Sequence, residues 1–176
     1  MIFARWRQRS RARALIDHIH GEIVAAARAP ALYADCGVPD DLDGRFEMVS
    51  LHADLALRRL NALGAGDLAQ ELVDRVFEGF DDALREMAVS DTGVAKRMTK
   101  MAGAYFGRAR AYAPALDAGD AAALAEGLAR NALRAPAASA DRLATRVLAT
   151  QALLAQTSLQ AFQSPDFRYP QPETAR

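Results

Sequence analysis

The sequence predicts an all-α protein: a single helical domain of about six or seven helices with an extended, proline-containing C-terminal tail. Alanine and arginine are heavily used and β-branched residues are scarce, which favours helices. Apolar residues recur at about 100° per residue, the period of a helix, and nowhere alternate as they would in a strand. At 176 residues, with 51% hydrophobic and 25% charged, the chain fits one globular domain.

Glycines and prolines divide the chain into its predicted elements. The helices are expected over residues 12–28, 44–63, 67–87, 94–112, 120–134 and 139–162. Pro30, Pro114 and Pro136 mark breaks, because proline disfavours a helical conformation in the residue before it. Apolar residues of the second helix spread over more than one stripe, which indicates a central, enclosed helix. The domain organisation is therefore a basic N-terminal segment (1–13), a helical domain (14–163) and an extended tail (164–176).

Composition excludes several classes of protein. Lys+Arg and Asp+Glu both number 22, which excludes a globally basic nucleic-acid binder but leaves a local basic patch open. Cys36 is the only cysteine, so we expect no disulfide and no cysteine-based metal site. We expect its side chain to be a packed thiol. No apolar run approaches the roughly 20 residues of a membrane span. We expect the protein to be soluble or, at most, to sit on a membrane surface.

No pattern of residues predicts catalysis or metal binding, so we expect no catalytic residue, metal or cofactor. His18, His20 and His52 lack a glutamate three residues earlier, which is inconsistent with the di-iron sites of helical bundles. Asp81 and Asp82 resemble an acidic pair, but they fall on an outward helical face. Such a pair is more typical of a solvated surface.

The first thirteen residues contain alternating arginines and no acidic residue. One interpretation is a solvated, frayed terminus. The other is contact with the phosphates of lipid or RNA through Arg5, Arg7 and Arg9, with Trp6 at a membrane interface. A basic residue near an anionic membrane contributes about 1 kcal/mol. Both interpretations remain open at this point.

Two consecutive predicted helices, 67–87 and 94–112, carry opposite outward charges. The outward arc of the first holds Asp67, Glu71, Asp74, Glu78, Asp81 and Asp82. Its inward arc holds Leu72, Val73, Val76, Phe77, Phe80, Leu84 and Met87. The outward arc of the second holds Lys96, Arg97, Lys100, Arg108 and Arg110, and its inward arc holds Val94, Met98, Met101, Tyr105 and Tyr112. An acidic helix thus runs into a basic one.

Gly103 and Gly107 fall inside the basic arc. A glycine in a helix interior costs about 1 kcal/mol relative to alanine, and core packing gives no reason for either. A bare backbone between cations predicts close approach by another chain or helix.

Some residue types also suit partner binding. Four methionines are candidates for adaptable apolar contact: Met48, Met87, Met98 and Met101. Ordinary core filling is the alternative for each of them. Arginines at positions 45, 58, 59, 85 and 97 are candidates to clamp a partner's carboxylates or lipid phosphates. The alternative is solvated ion pairs, which we expect for Arg58 and Arg59.

Several motifs occur in an order that resembles a known family. They are Gly37-Val-Pro-Asp40, Asp43-Gly-Arg-Phe-Glu-Met-Val49 with Leu51-His52, Asp81-Asp-Ala-Leu-Arg-Glu-Met-Ala-Val-Ser-Asp91, Val94-Ala-Lys-Arg-Met-Thr-Lys-Met101 and Ala104-Tyr-Phe-Gly-Arg108. Over about residues 12 to 116 the chain resembles the ubiquinol–cytochrome c reductase (cytochrome bc1 complex) assembly chaperone family. After Leu116 it is similar only in being helical.

The resemblance implies a helical, non-enzymatic assembly chaperone for cytochrome b and the cytochrome bc1 complex, one that binds a hydrophobic membrane-protein client. The implied partner is newly synthesised apo cytochrome b; the ribosome, the inner-membrane surface and a small helical protein are further candidates. The implied location is cytoplasmic, at the inner face of the membrane.

Resemblance and helix pattern together suggest where the client binds. The expected client-binding residues are Arg97, Met98, Lys100, Met101, Gly103, Tyr105, Phe106, Gly107 and Arg108. The alternative, from another class, is a peripheral RNA- or ribosome-binding module that uses the N-terminal arginines and the basic helix.

Overall fold

Helices form the regular structure of the computed structural model, which describes residues 2–88 and 90–173, without the side chains of 2–9 and 138. They are α1 (Ile2–Ala27), α2 (Pro30–Ala34), α3 (Leu42–Ala62), α4 (Gly66–Glu86), α5 (Asp91–Ala118), α6 (Ala121–Leu128), α7 (Asp141–Ala155) and α8 (Leu159–Phe162). A π-helical turn (Ala129–Leu133) follows α6, and a 3-10 turn (Ala137–Ala140) precedes α7. The predicted all-α class is confirmed for these residues. None of the helices described is long and apolar enough to cross a membrane.

α3 lies at the centre of the fold, as predicted. Twelve of its 21 residues are buried, and α1, α4, α5 and α7 all pack against it. The helix begins after Asp41, whose Oδ1 accepts a hydrogen bond from the Gly44 backbone N–H at 2.8 Å. A side-chain cap of this kind satisfies one of the free N–H groups at a helix start.

α1 begins at Ile2, well before the predicted start at residue 12. Residues 2–11 contain no glycine or proline, so nothing in them interrupts the helix. Two ion pairs attach α1 to α4: Arg13 Nη2 lies 2.6 Å from Glu78 Oε2, and Arg75 Nε lies 2.6 Å from Asp17 Oδ1. Ile16, Ile19 and Ile23 of α1 are buried in the core.

The turn between α4 and α5 corrects two expectations. Met87, predicted to face inward, is 53% exposed, because α4 ends at Glu86 and the residue after it no longer follows the helical arc. Arg85, a candidate clamp for a partner, is used inside the chain. Its guanidinium pairs with Asp81 and, at 2.7 Å, with Asp91 at the start of α5.

α5 continues through Pro114, where a break was predicted. A proline costs about 3 kcal/mol in a helix interior, since it has no N–H and its ring crowds the preceding turn. Here Pro114 is exposed, while Ala115 and Leu116 in the same turn are buried. Gln151 of α7 also donates a hydrogen bond to the Leu116 carbonyl at 3.1 Å. The packing of this last turn offsets the cost of the proline.

The predicted helix 139–162 is two helices in the structure. α7 ends at Ala155, and Ser158 caps α8 by accepting a hydrogen bond from the Ala161 N–H at 3.1 Å. Serine and threonine side chains compete with the backbone for hydrogen bonds, which favours a helix end at this point. α6 begins close to the start of the predicted helix 120–134, and Asp120 caps it: its Oδ1 accepts a hydrogen bond from the Ala123 N–H at 3.0 Å.

The described part of the C-terminal tail is non-helical, and its aromatic residues are buried. Phe167 stacks on Phe162 with ring centroids 4.9 Å apart. The Tyr169 hydroxyl donates to the His52 carbonyl of α3, and its backbone N–H donates to Glu22 of α1, both at 3.0 Å. The tail therefore fastens α1 to α3.

Gly44 gives the first testable prediction. A methyl group at this position would lie 1.9 Å from the Pro39 carbonyl oxygen, a backbone atom that cannot move aside cheaply. We expect Gly44→Ala to lower the free energy of unfolding by about 1–3 kcal/mol, measured by urea denaturation. Gly66→Ala is the matched control, because a methyl group there meets nothing within 4 Å. Equal stability of both variants would contradict the close packing of the 37–41 loop on α3.

Candidate functional site

α5 presents an exposed strip of small residues. Ala95, Thr99, Gly103, Gly107 and Ala111 follow one another at intervals of four and are all exposed; we call them the α5 ridge. A methyl group built on either glycine would meet nothing within 4 Å, so the outward position predicted for both is confirmed. Small residues spaced by four let a second helix approach the backbone closely. Lys96 and Lys100, both exposed, follow ridge positions on the same helix.

Beside the ridge lies a cleft of about 520 Å³ between α5, the start of α3, the end of α4 and the π-helical turn; we call it the basic cleft. It is lined by Leu42, Asp43, Phe46, Glu47, Leu84, Arg97, Lys100, Met101, Ala104, Arg108, Arg130, Asn131, Ala132 and Arg134. Five cations and two carboxylates are among these residues, so the cleft carries a net positive charge.

Arg108 of α5 and Glu47 of α3, both in the lining of the cleft, form a bidentate pair. Arg108 Nη2 lies 2.8 Å from Glu47 Oε1, and its Nε donates to both carboxylate oxygens at 3.1 and 3.2 Å. Burial raises the pKa of the Glu47 carboxyl, and the bonds from Arg108 oppose that rise. Arg108 was predicted on the outward basic arc. The structure corrects this, since the guanidinium is partly buried and neutralised by a residue of α3.

A second pair closes the end of the cleft. Arg134 Nη2 lies 2.7 Å from Asp41 Oδ2, and Nη1 lies 3.5 Å from Asp43 Oδ2. The backbone N–H of Gly44 and the Arg134 guanidinium hold the pKa of the Asp41 carboxyl below its usual value. Both carboxylates that line the cleft are therefore matched by arginines.

Three cations of the cleft have no acidic partner among the described residues. They are Arg97, Lys100 and Arg130. All three residues are exposed, so water solvates their charged groups. The carboxylate or phosphate of a binding partner can replace that water. A guanidinium pairs readily with carboxylate or phosphate oxygens.

The floor of the cleft is apolar. Leu42 is 38% exposed, which is unusual among the large apolar side chains that the structure describes. Phe46 and Met101 are half-buried, and Phe46 packs on Phe80 of α4 with ring centroids 5.0 Å apart. A ligand in this cleft would thus meet apolar side chains below and cations above.

On the far side of α5, aromatic rings join it to α4. Phe77 stacks on Phe106 at a centroid distance of 6.0 Å and meets Tyr105 edge to face at 5.4 Å. Phe106 is 57% exposed, whereas Tyr105 is 3% exposed and sits beneath it. Burial raises the pKa of the Tyr105 hydroxyl, so it stays protonated.

The comparisons with known proteins identify the family. The family model described as "Ubiquinol-cytochrome C chaperone" matches residues 34–169. The chain belongs to this family. This chaperone is also similar to the solved "Crystal structure of the Cbp3 homolog from Brucella abortus", with 40% sequence identity, a TM-score of 0.82 and 97% of each chain covered. No curated protein matches it.

The family assignment confirms the resemblance found in the motifs, with a different extent. The motifs covered about residues 12–116, whereas the family match begins at residue 34 and continues to residue 169. The similarity to the family therefore includes the sequences of α6, α7 and the tail with its buried aromatic residues, and is more than a shared helical character.

Eight of the nine residues expected to bind a client lie on three different faces of α5, and the ninth, Met98, packs on the core. Arg97, Lys100, Met101 and Arg108 line the basic cleft. Gly103 and Gly107 lie on the ridge, and Tyr105 and Phe106 face α4. Met98 is half-buried against the core. Trp6, Arg5, Arg7 and Arg9 have side chains outside the described part of the structure.

Sequence reasoning missed the opposite wall of the cleft. Arg130 lies in the π-helical turn and Arg134 directly follows it, both outside the basic helix, and Leu42 comes from the start of α3. The only signal in the sequence was two arginines four residues apart on a predicted helix. Arg45, named as a clamp, instead pairs with Asp40 at 2.7 Å.

No cluster in the described residues offers three or more ligands for a metal ion. Burial raises the pKa of the Cys36 thiol, which matches the expectation of a packed rather than a reactive cysteine.

Proposed function

We propose that this chaperone holds newly synthesised cytochrome b before it enters the cytochrome bc1 complex, and that it does so without catalysing a reaction. The observation that carries the proposal is the combination on one helix, α5, of an exposed small-residue ridge and a basic cleft with an apolar floor. The family to which the chain belongs supports the class of client.

The two surfaces suit different parts of a membrane protein. An apolar helix exposed to water needs close van der Waals contact, and the α5 ridge allows such a helix to approach the backbone. Carboxylates in the loops that flank such a helix are groups that the unpaired Arg97, Lys100 and Arg130 can bind. The half-buried Met101 adds an apolar contact that adapts to varied shapes. Such a client is made at the membrane, so we place the chaperone at its inner face.

Site-specific crosslinking tests the proposal. A photoreactive amino acid in place of Lys100, which is exposed and lines the cleft, should capture cytochrome b in cells. The matched control replaces Glu71, an exposed residue of α4 outside the cleft, and should give only background. Equal capture at both positions, or only non-specific products at position 100, would contradict the proposed client surface.

Salt dependence separates a chaperone from the alternative, an RNA- or ribosome-binding module. Binding to nucleic-acid phosphates loses affinity linearly in log salt, with a slope close to the number of phosphates contacted. A client held mainly by apolar contact should respond far less to salt. We expect the complex with cytochrome b to survive a fourfold rise in salt concentration. A steep loss would favour the nucleic-acid module.

A further inference from the structure

A second, smaller pocket lies on the opposite side of the α5 ridge from the basic cleft. Its volume is about 250 Å³, and it opens between α3, α4 and α5. The residues that give it its chemistry are Asp54, Arg58, Asn61, Gln70, Tyr105 and Phe106; we call this pocket the socket. None of the predicted functions accounts for its polar groups.

The polar atoms at the base of the socket lack hydrogen-bond partners. Asp54 Oδ2 and the Tyr105 hydroxyl are both buried, and neither is bonded to another described group. Tyr105 is 3% exposed, so packed protein atoms rather than water surround its side chain. A buried polar group left without a partner costs about 1–3 kcal/mol. Both atoms therefore favour a ligand that brings hydrogen-bond donors.

Two charged side chains line the socket, the carboxyl of Asp54 and the guanidinium of Arg58. Burial raises the pKa of the Asp54 carboxyl, and the charge of Arg58 opposes that rise. Arg58 does not neutralise Asp54 by contact, because its guanidinium pairs with Asp117 instead. With Arg58 paired to Asp117, Asp54 Oδ2 is left without a hydrogen-bond donor, and an incoming guanidinium would supply one.

The rim of the socket is aromatic. Phe106 is more than half exposed and is supported from behind by Phe77 and Tyr105, with ring centroids 6.0 and 5.2 Å away. The face of an exposed aromatic ring attracts a cation. Asn61 and Gln70 add side-chain amides that can accept hydrogen bonds from a guanidinium.

We propose that the socket binds an arginine side chain of a polypeptide partner, with the guanidinium against Asp54 and the Tyr105 hydroxyl and its flat face on Phe106. A guanidinium fits this set better than an ammonium, since it is planar, has five donors and stacks on aromatic rings. The α5 ridge is then flanked on one side by a site for anionic groups and on the other by a site for a cation. A segment that carries an acidic group on one side and an arginine on the other reaches both sites in one orientation only. The two sites together therefore fix its direction along α5.

This inference does not require cytochrome b to be the client, and its test uses no cytochrome b. Full-length ¹⁵N-labelled protein is titrated with N-acetyl-arginine methylamide, and the side-chain amide signals of Asn61 and Gln70 are followed by NMR. We expect saturable shifts of these signals. The citrulline analogue, which has the same shape without the charge, should bind about tenfold more weakly.

Variants separate the socket from general electrostatic attraction. Asp54→Asn keeps the shape and should weaken binding of the arginine analogue about tenfold. Phe106→Leu, at an exposed position that does not threaten folding, should weaken it several-fold. Glu71→Gln removes an exposed negative charge of α4 outside the socket and should leave binding unchanged.

The outcomes that overturn the proposal are distinct. Equal binding of the arginine and citrulline analogues, or an equal effect of Asp54→Asn and Glu71→Gln, would show that the socket does not recognise the charge. Tighter binding of free arginine than of the blocked analogue would assign the socket to a small molecule. Success here together with failed capture at position 100 would leave the socket in place and remove the proposed client surface.

Discussion

Gly107→Leu is expected to abolish capture of cytochrome b while raising the stability of the chaperone. The position is exposed, and a Cβ built there meets nothing within 4 Å, so we expect the fold to accept leucine. Leucine is also a better helix former than glycine by up to about 1 kcal/mol, which corresponds to a melting temperature about 2–4 °C higher for a chain of this size. On the α5 ridge, however, the same side chain would hold a partner helix away from the backbone. The measurements are thermal unfolding by circular dichroism and crosslinking through position 100.

Gly21→Leu is the matched control for this variant. Gly21 lies in α1, is exposed, and likewise has nothing within 4 Å of a built methyl group. It should gain similar stability and keep full client capture, because α1 is not part of the proposed surface. Loss of folding in Gly107→Leu would show that the position is packed, and normal capture would show that the ridge does not touch the client.

The ridge could be predicted from sequence because its signal is local. Gly103 and Gly107 are costly in a helix, and the helical period alone places them opposite Val94 and Tyr112, which the structure buries. The acidic arc of α4 was predicted for the same reason. Period and spacing determine which residues share a face of one helix, and they need no knowledge of its neighbours.

The basic cleft could not be predicted because it depends on which helices meet. Arg108 looks like any other cation of the basic arc until α3 places Glu47 against it, 61 residues away in sequence. Whether a cation is free or paired is thus a tertiary property. The same holds for the socket, where Asp54 of α3 meets Tyr105 of α5.

Pro114 shows the limit of a rule based on one residue. Proline ends most helices because of the lost hydrogen bond and the ring clash. In α5 the turn that contains it buries Ala115 and Leu116 against the rest of the fold, and the packing outweighs the local preference. The tail illustrates the converse, since prolines predicted its non-helical backbone but not the burial of Phe167 and Tyr169.

Acid is expected to destabilise the fold through His52. Burial lowers the pKa of its imidazole to about 4, the charge of Arg146 adds to this, and the hydrogen bond from Nδ1 to the Met48 carbonyl at 2.8 Å opposes it. Between pH 6.5 and 4 the unfolded chain therefore binds a proton that the folded chain does not. The free energy of unfolding contributed by His52 is fully present above pH 6.5 and falls by about 3 kcal/mol by pH 4. Burial also lowers the pKa of His20 to about 4, with Arg75 adding to the shift, so two groups act in the same range.

His52→Leu isolates this contribution. Leucine is close in size, and the ring it replaces packs against Tyr169, whose hydroxyl bonds to the backbone carbonyl of residue 52 and not to its side chain. We expect the stability difference between wild type and variant, from urea denaturation, to shift by about 3 kcal/mol in favour of the variant between pH 7 and pH 4. The proton NMR signal of the His52 ring should show no titration above pH 5. A parallel pH dependence in the two proteins would mean that the imidazole is protonated inside the fold, because a neutral ring in the folded state is the only source of the expected difference.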